Sequence, residues 1–152
     1  MRKRFIVIAL VVSTALAVSP LVYAQAAKSE PAKGTLWSAS DLKWVDNPAI
    51  KGARQAVLWG DPAKGAYGAL KKVSSGTVLP MHWHTRLTRV LVVAGTIAFN
   101  FDGSPASDMG PQSYISVPGG AKHAATCKAG TDCVYFETSD GAYVFKTDSA
   151  AR

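Results

Sequence analysis

Short apolar runs separated by turn residues fill the chain from Thr35 onward. Examples are QAVLWG before DPAKG, TIAFNF before DGSP, and SYISVP before GGAK. The runs are about four to eight residues long and rich in Val, Tyr, Phe and Thr, as β-strands are. No run keeps a helical period, although SASDLKW has the length for one helical turn. The pattern predicts an all-β sandwich or barrel.

A different pattern occupies the first residues of the chain. It consists of basic MRKR, then apolar FIVIALVVSTALAV, then SPLVYAQA with its small residues. This order is typical of a secretory signal peptide, with Val22 and Ala24 preceding a cut before Gln25. The apolar run is short for a membrane span, and the alternative is a retained N-terminal anchor.

The following segment, AQAAKSEPAKG, is small, polar and contains proline, which is typical of a flexible leader. We therefore predict a signal peptide over residues 1–24, a leader over 25–34 and one domain over 35–152. After cleavage the protein is expected to be periplasmic or secreted and to have no membrane partner.

The distribution of charge excludes one class of partner. The formal net charge is +7, but Arg2, Lys3 and Arg4 would leave with the signal peptide. The remaining cations are scattered and are not interleaved with aromatic residues. A nucleic-acid surface is therefore not indicated.

Two of the three histidines lie one residue apart, in LPMHWHT. Because side chains alternate along a strand, His82 and His84 point to one face and Trp83 points to the other. The third, His123, follows the turn-rich PGGAK. Neutral imidazole is the commonest protein ligand for divalent transition metals, so these three residues are candidate metal ligands.

The surroundings of these histidines resemble the two motifs of the cupin family. The matching positions are Gly76, His82, His84, Gly95, Pro118, Gly120 and His123. The resemblance runs from about Leu58 to Lys146, and CKAGTDC is similar to a segment of small single-domain cupins. It implies a cupin-type double-stranded jelly-roll β-barrel whose inward histidines hold one divalent metal.

One position departs from the cupin pattern. Thr88 occupies the place of the family's glutamate, and its neighbours Leu87 and Arg89 do not supply a carboxylate. The resemblance then implies a mononuclear three-histidine site that suits Fe²⁺, Zn²⁺, Ni²⁺ or Cu²⁺ and leaves the metal charge uncompensated. Such a site favours an anionic or enolate ligand. The alternative is a degraded site that binds metal weakly.

The two cysteines, Cys127 and Cys133, form an even and closely spaced pair. In an exported protein this favours a disulfide, here across a five-residue hairpin loop. Cys127 shares a strand face with His123, so a sulfur ligand to the metal is the alternative.

Three further residues have two interpretations each. Met81 and Trp83 either pack in the core or at its rim, or they shape a ligand pocket. Arg86 either lies at the surface or points inward, where it would bind a substrate carboxylate or enolate.

The cupin resemblance allows two classes of function for a protein with a small-molecule ligand. The first is a metal-dependent dioxygenase or related enzyme that acts on a small carbonyl or enol compound. The second is a non-catalytic module that binds a small ligand or a metal. The fold alone does not choose between them. The resemblance also allows a homodimer, since cupins often pair through sheet edges.

Overall fold

The computed structural model describes residues 34–147, which form two antiparallel β-sheets. The predicted signal peptide, the leader up to residue 33 and the last five residues lie outside this range. The strands are β1 (Trp44–Asp46), β2 (Ala53–Gly60), β3 (Tyr67–Val73), β4 (Val78–Trp83), β5 (Thr88–Ala94), β6 (Ile97–Phe101), β7 (Ser107–Met109), β8 (Tyr114–Val117), β9 (His123–Cys127), β10 (Cys133–Ser139) and β11 (Lys146–Thr147). A 3₁₀ turn at Ala39–Asp41 lies within the segment expected to form one helical turn.

The strands are arranged as a jelly roll. One sheet has the order β1-β2-β3-β10-β5-β8 and the other has the order β11-β4-β9-β6-β7. The predicted all-β fold is confirmed. Within residues 34–147 no strand pairs across from one sheet to the other, so the barrel is an open two-sheet sandwich rather than a closed cylinder. In the same range no helix has the length and apolarity needed to cross a membrane.

Alternation along the strands decides which side chains enter the space between the sheets. On β5, Thr88, Val90 and Val92 are buried, whereas Leu91 and Val93 are about half exposed. The buried set faces the opposite sheet because successive side chains of a strand point to opposite faces.

Two of the motif glycines make turns that other residues would strain. Gly95 has a φ of 74°, and a Cβ there would lie 2.8 Å from the carbonyl oxygen of Asp132. Gly120 has a φ of 82°, and its N–H donates to the carbonyl oxygen of His84 at 2.7 Å. Glycine adopts this left-handed conformation without steric cost, so the second turn can join the two histidine-bearing segments.

The predicted disulfide between Cys127 and Cys133 is confirmed, with the two Cα atoms 5.7 Å apart. The predicted hairpin around it is wrong. Cys127 ends β9 in one sheet and Cys133 begins β10 in the other, so the intervening loop crosses between sheets. Both strands have other partners within their own sheets, which leaves the disulfide as a covalent link between the two layers.

Candidate metal centre

The three histidines converge inside the sandwich, where each is less than 10% exposed. His82 on β4 lies opposite His123 on β9 in the strand register, and their ring centroids are 4.1 Å apart. His84 directly follows β4. One ring nitrogen from each residue lies within 4.8 Å of the others, which is close enough for the three to share one ion.

A β-bulge positions the first histidine. The pairing of β4 with β9 shifts register between Leu79 and His82. Pro80 lies within this shift and has no N–H to donate to a regular ladder, which is the usual reason for proline at a bulge. The Pro80 carbonyl oxygen accepts a hydrogen bond from Nδ1 of His82 at 2.7 Å.

All three histidines have their Nδ1 atom bonded to a main-chain carbonyl oxygen. The pairs are His82 with Pro80 at 2.7 Å, His84 with Val144 at 2.6 Å and His123 with Ala121 at 3.0 Å. A carbonyl oxygen only accepts, so each Nδ1 must carry the hydrogen. The lone pair of each ring is therefore on Nε2, the arrangement of histidines that bind metals.

Burial favours the neutral form of two of the three rings. It lowers the pKa of His82 to about 4, against a smaller opposing effect from the hydrogen bond with Pro80. Burial also lowers the pKa of His123. Neutral imidazoles offer the lone pair that a cation needs, so the donor set fits a divalent transition metal.

Aromatic rings hold the imidazoles in place. Phe145 stacks on His82 with a centroid distance of 4.3 Å, and Phe99 stacks on His123 at 5.4 Å. Rings packed in this way restrict rotation of the ligands and reduce the access of water to them.

The other residues suggested by the sequence lie in different places. Thr88 is buried and lines the cavity beside the histidines. Met81 and Trp83 alternate with His82 and line no part of that cavity, and Lys146 Nζ lies 5.0 Å from the centre of the Trp83 ring. Arg86 is exposed in the loop before β5, with its side chain against Gly141. The structure therefore places these three residues outside the lining of the cavity.

A polar group that the sequence analysis missed faces the same cavity. The cavity has a volume of about 70 Å³, and its lining includes the three histidines, Lys71 and Glu137. Both charged residues are 6% exposed. From the sequence, the protein is expected to leave the metal charge uncompensated, whereas the structure places the carboxylate of Glu137 in the same cavity, outside the cluster of histidine donors. Strand parity was the available signal, because Lys71 falls on the inward face of β3 and Glu137 on that of β10.

A model of a known protein family matches most of the chain. Residues 32–143 match the model of the family described as the ChrR cupin-like domain. The chain belongs to this cupin family. The predicted cupin membership is thereby confirmed. No curated protein sequence matches the chain significantly.

Solved cupin structures share the fold. The polyketide cyclase RemF from Streptomyces resistomycificus is 21% identical with a TM-score of 0.62, over 76% of this chain and 89% of that one. An RmlC-like cupin from Shewanella frigidimarina is 18% identical with a TM-score of 0.61, over 72% and 93% of the two chains.

A third similar structure is the complex of SigE with the anti-sigma ChrR from Rhodobacter sphaeroides. It is 24% identical with a TM-score of 0.53, and the match covers 68% of this cupin and 51% of that chain. At these identities the likeness establishes the fold alone.

Proposed function

We propose that this cupin is a metal-dependent enzyme that acts on a small carbonyl or enol compound. The observation that carries the proposal is the set of three buried histidines with fixed Nδ1–H tautomers, which share one small cavity with a carboxylate. His82, His84 and His123 would hold one divalent transition metal, Fe²⁺, Zn²⁺, Ni²⁺ or Cu²⁺.

The cavity supports the proposed substrate class. A bound metal would polarise a carbonyl oxygen or favour an enolate by its charge. The protein adds a cavity of about 70 Å³ with a partly apolar lining, which favours a small compound. Within this class we propose dioxygenase chemistry, for which His82, His84 and His123 would hold the metal and the cavity would admit the substrate and O₂.

The alternative function is a non-catalytic module that binds a metal or a small ligand. The family description favours it, because the family is named after ChrR. In the structure of its complex with SigE, ChrR is called an anti-sigma. Only a module would use the metal without turning over a substrate, and this difference is measurable.

We also propose that the protein is exported. The signal-like sequence over residues 1–24 supports this, and so does the disulfide between Cys127 and Cys133, because disulfides persist in oxidising compartments.

The metal content of protein purified without added metal, followed by an oxygen-uptake screen with small carbonyl and enol compounds, tests the proposal. Stoichiometric iron with substrate-dependent uptake is the expected result, and His123→Ala is the control that should lose both. Stoichiometric metal without turnover of any compound would favour the module. Protein that binds no metal even when it is supplied would contradict the enzyme and a metal-binding module, and would leave only a module that binds a small ligand.

A further inference from the structure

Glu137 is a buried carboxylate that is held from one side. The hydroxyl of Tyr67 donates to its Oε1 at 2.6 Å, and the ammonium of Lys71 lies 3.3 Å from the same oxygen. Neither donor engages Oε2. A carboxylate fixed through one oxygen has its second oxygen available as a hydrogen-bond acceptor.

Lys71, one of the two groups that hold Glu137, has further contacts of its own. Lys71 Nζ donates to Oε1 of Gln55 at 2.9 Å and lies 4.4 Å from the centre of the Tyr143 ring. It is therefore occupied by a carboxylate, an amide and an aromatic face, and is not free to bind a substrate anion.

The tyrosines around Glu137 remain protonated. Burial, followed by the negative charge of Glu137, raises the pKa of the hydroxyls of Tyr67, Tyr135 and Tyr143. These hydroxyls are donors at neutral pH and not bases. Among residues 34–147, Glu137 is the only carboxylate that lines the cavity.

Glu137 faces the histidines without joining them as a ligand. Its charge acts on both His82 and His123, where it opposes part of the effect of burial on their pKa values. The close cluster of donor atoms in the described chain contains the three histidines alone. The carboxylate therefore lies where it meets a molecule held by the histidine centre rather than the ion itself.

We propose that Glu137 is the base of the cavity and accepts, at Oε2, the proton of a hydroxylic ligand held at the three-histidine centre. The ligand class is an enol, a hydroxamate or a hydroxy ketone. The O–H bond of the ligand breaks, its electron pair stays on the ligand oxygen, and an O–H bond forms on Glu137. Tyr67 and Lys71 are positioning residues. This role deepens the proposed function and depends on its metal centre.

Proton counting tests the role directly. Zn²⁺-loaded protein is titrated with acetohydroxamic acid at pH 7 by calorimetry, in two buffers of different ionisation enthalpy. In the wild type the proton should stay on Glu137, and almost none should reach the buffer. In Glu137→Gln about one proton should reach the buffer, and affinity should fall by about tenfold or more, as expected when a charged hydrogen-bond partner is lost.

Azide is the matched probe, because it binds as an anion and brings no proton. Its affinity should stay the same or rise in Glu137→Gln, since a nearby negative charge has been removed. A merely structural defect would lower the affinity for both acetohydroxamic acid and azide. Ser139→Ala alters the next inward residue of β10, which does not line the cavity, and should leave both probes unchanged.

Glu137→Gln leaves Lys71 buried without its partner and could prevent folding. The double variant Lys71→Met/Glu137→Gln removes both charges and should give the same count of one proton. Equal proton counts in the wild type and the folded variants would overturn the role of Glu137 and leave the proposed function standing. Wild type that binds zinc but neither probe, or binds no zinc, would overturn the proposed function with it.

Discussion

The two ends of the sandwich interior are built from the same strands but have opposite chemistry. At one end, Cys127 and Cys133 pack with an apolar cluster formed by Ile50, Ala53, Val73, Val92 and Ile97. At the other end lie the three histidines. Lys71 and Val73 are two residues apart on β3, and Glu137 and Cys133 are four apart on β10.

The two ends differ in what their buried side chains require. The apolar end gains stability from burial that needs no specific partner. The polar end must provide a partner for each buried group. It does so for the atoms that are fully closed off from solvent, because within residues 34–147 no such side-chain nitrogen or oxygen lacks a hydrogen bond. We therefore expect substitutions at the apolar end to change stability alone, and substitutions at the polar end to change stability or metal binding according to the group removed.

The largest expected effect is on folding, at the polar end. Lys71→Met leaves the buried carboxylate of Glu137 without its ion pair and should lower the free energy of unfolding by about 3–5 kcal/mol. Urea unfolding of the metal-free protein measures the change. Lys72→Met is the matched control: its exposed pair with Asp132 should contribute less than about 1 kcal/mol. Similar losses in the two variants would show that the buried pair is not a special requirement.

The second effect belongs to the apolar end. Replacing Cys127 and Cys133 together by Ala should lower the free energy of unfolding by about 2 kcal/mol, because the crosslink closes a short loop. Zinc affinity, measured by competition with a chelator, should be unchanged because neither cysteine belongs to the cluster of metal-donor atoms. A large loss of zinc affinity would show that the two ends are coupled.

The third effect returns to the histidines. His82→Ala, His84→Ala and His123→Ala should each reduce zinc affinity by at least about tenfold, or about 1.4 kcal/mol. Trp83→Phe is the control, since Trp83 lies between two of the ligands on the opposite strand face and does not line the cavity. Full metal content in all three alanine variants would place the metal elsewhere.

The smallest effect is expected at Thr88. Thr88→Glu adds an oxygen ligand inside the cavity and should tighten Mn²⁺ binding a few-fold, because hard ions prefer oxygen. Repulsion from Glu137 limits the gain. The comparison of Mn²⁺ dissociation constants includes Thr88→Val, which should not bind Mn²⁺ more tightly. Equal constants for a folded Thr88→Glu variant would mean that residue 88 does not face the metal.

The sequence was informative wherever a short-range rule applied. Turn-bounded apolar runs predicted the strands, and the one-residue gap between His82 and His84 predicted their shared face. The closely spaced cysteines predicted their disulfide. Each of these inferences needs only the geometry of a few neighbouring residues.

The pairing of strands that are distant in the chain could not be predicted from the sequence in the same way. The segment from Cys127 to Cys133 has the length of a hairpin, but its two strands belong to different sheets because each pairs with distant strands. The contact between Lys71 and Glu137 also joins strands that are far apart in the chain. Their inward parity was visible in the sequence, but the choice of β10 as the neighbour of β3 was not.

The histidine contacts have a consequence for how the site changes over evolutionary time. The acceptors that fix the three rings are main-chain carbonyls of Pro80, Ala121 and Val144, so loss of a side chain does not remove them. The backbone therefore fixes the tautomer of each histidine, whatever side chains surround it. A position such as Thr88 can then diverge, and alter the chemistry of the cavity, while the three donors remain oriented.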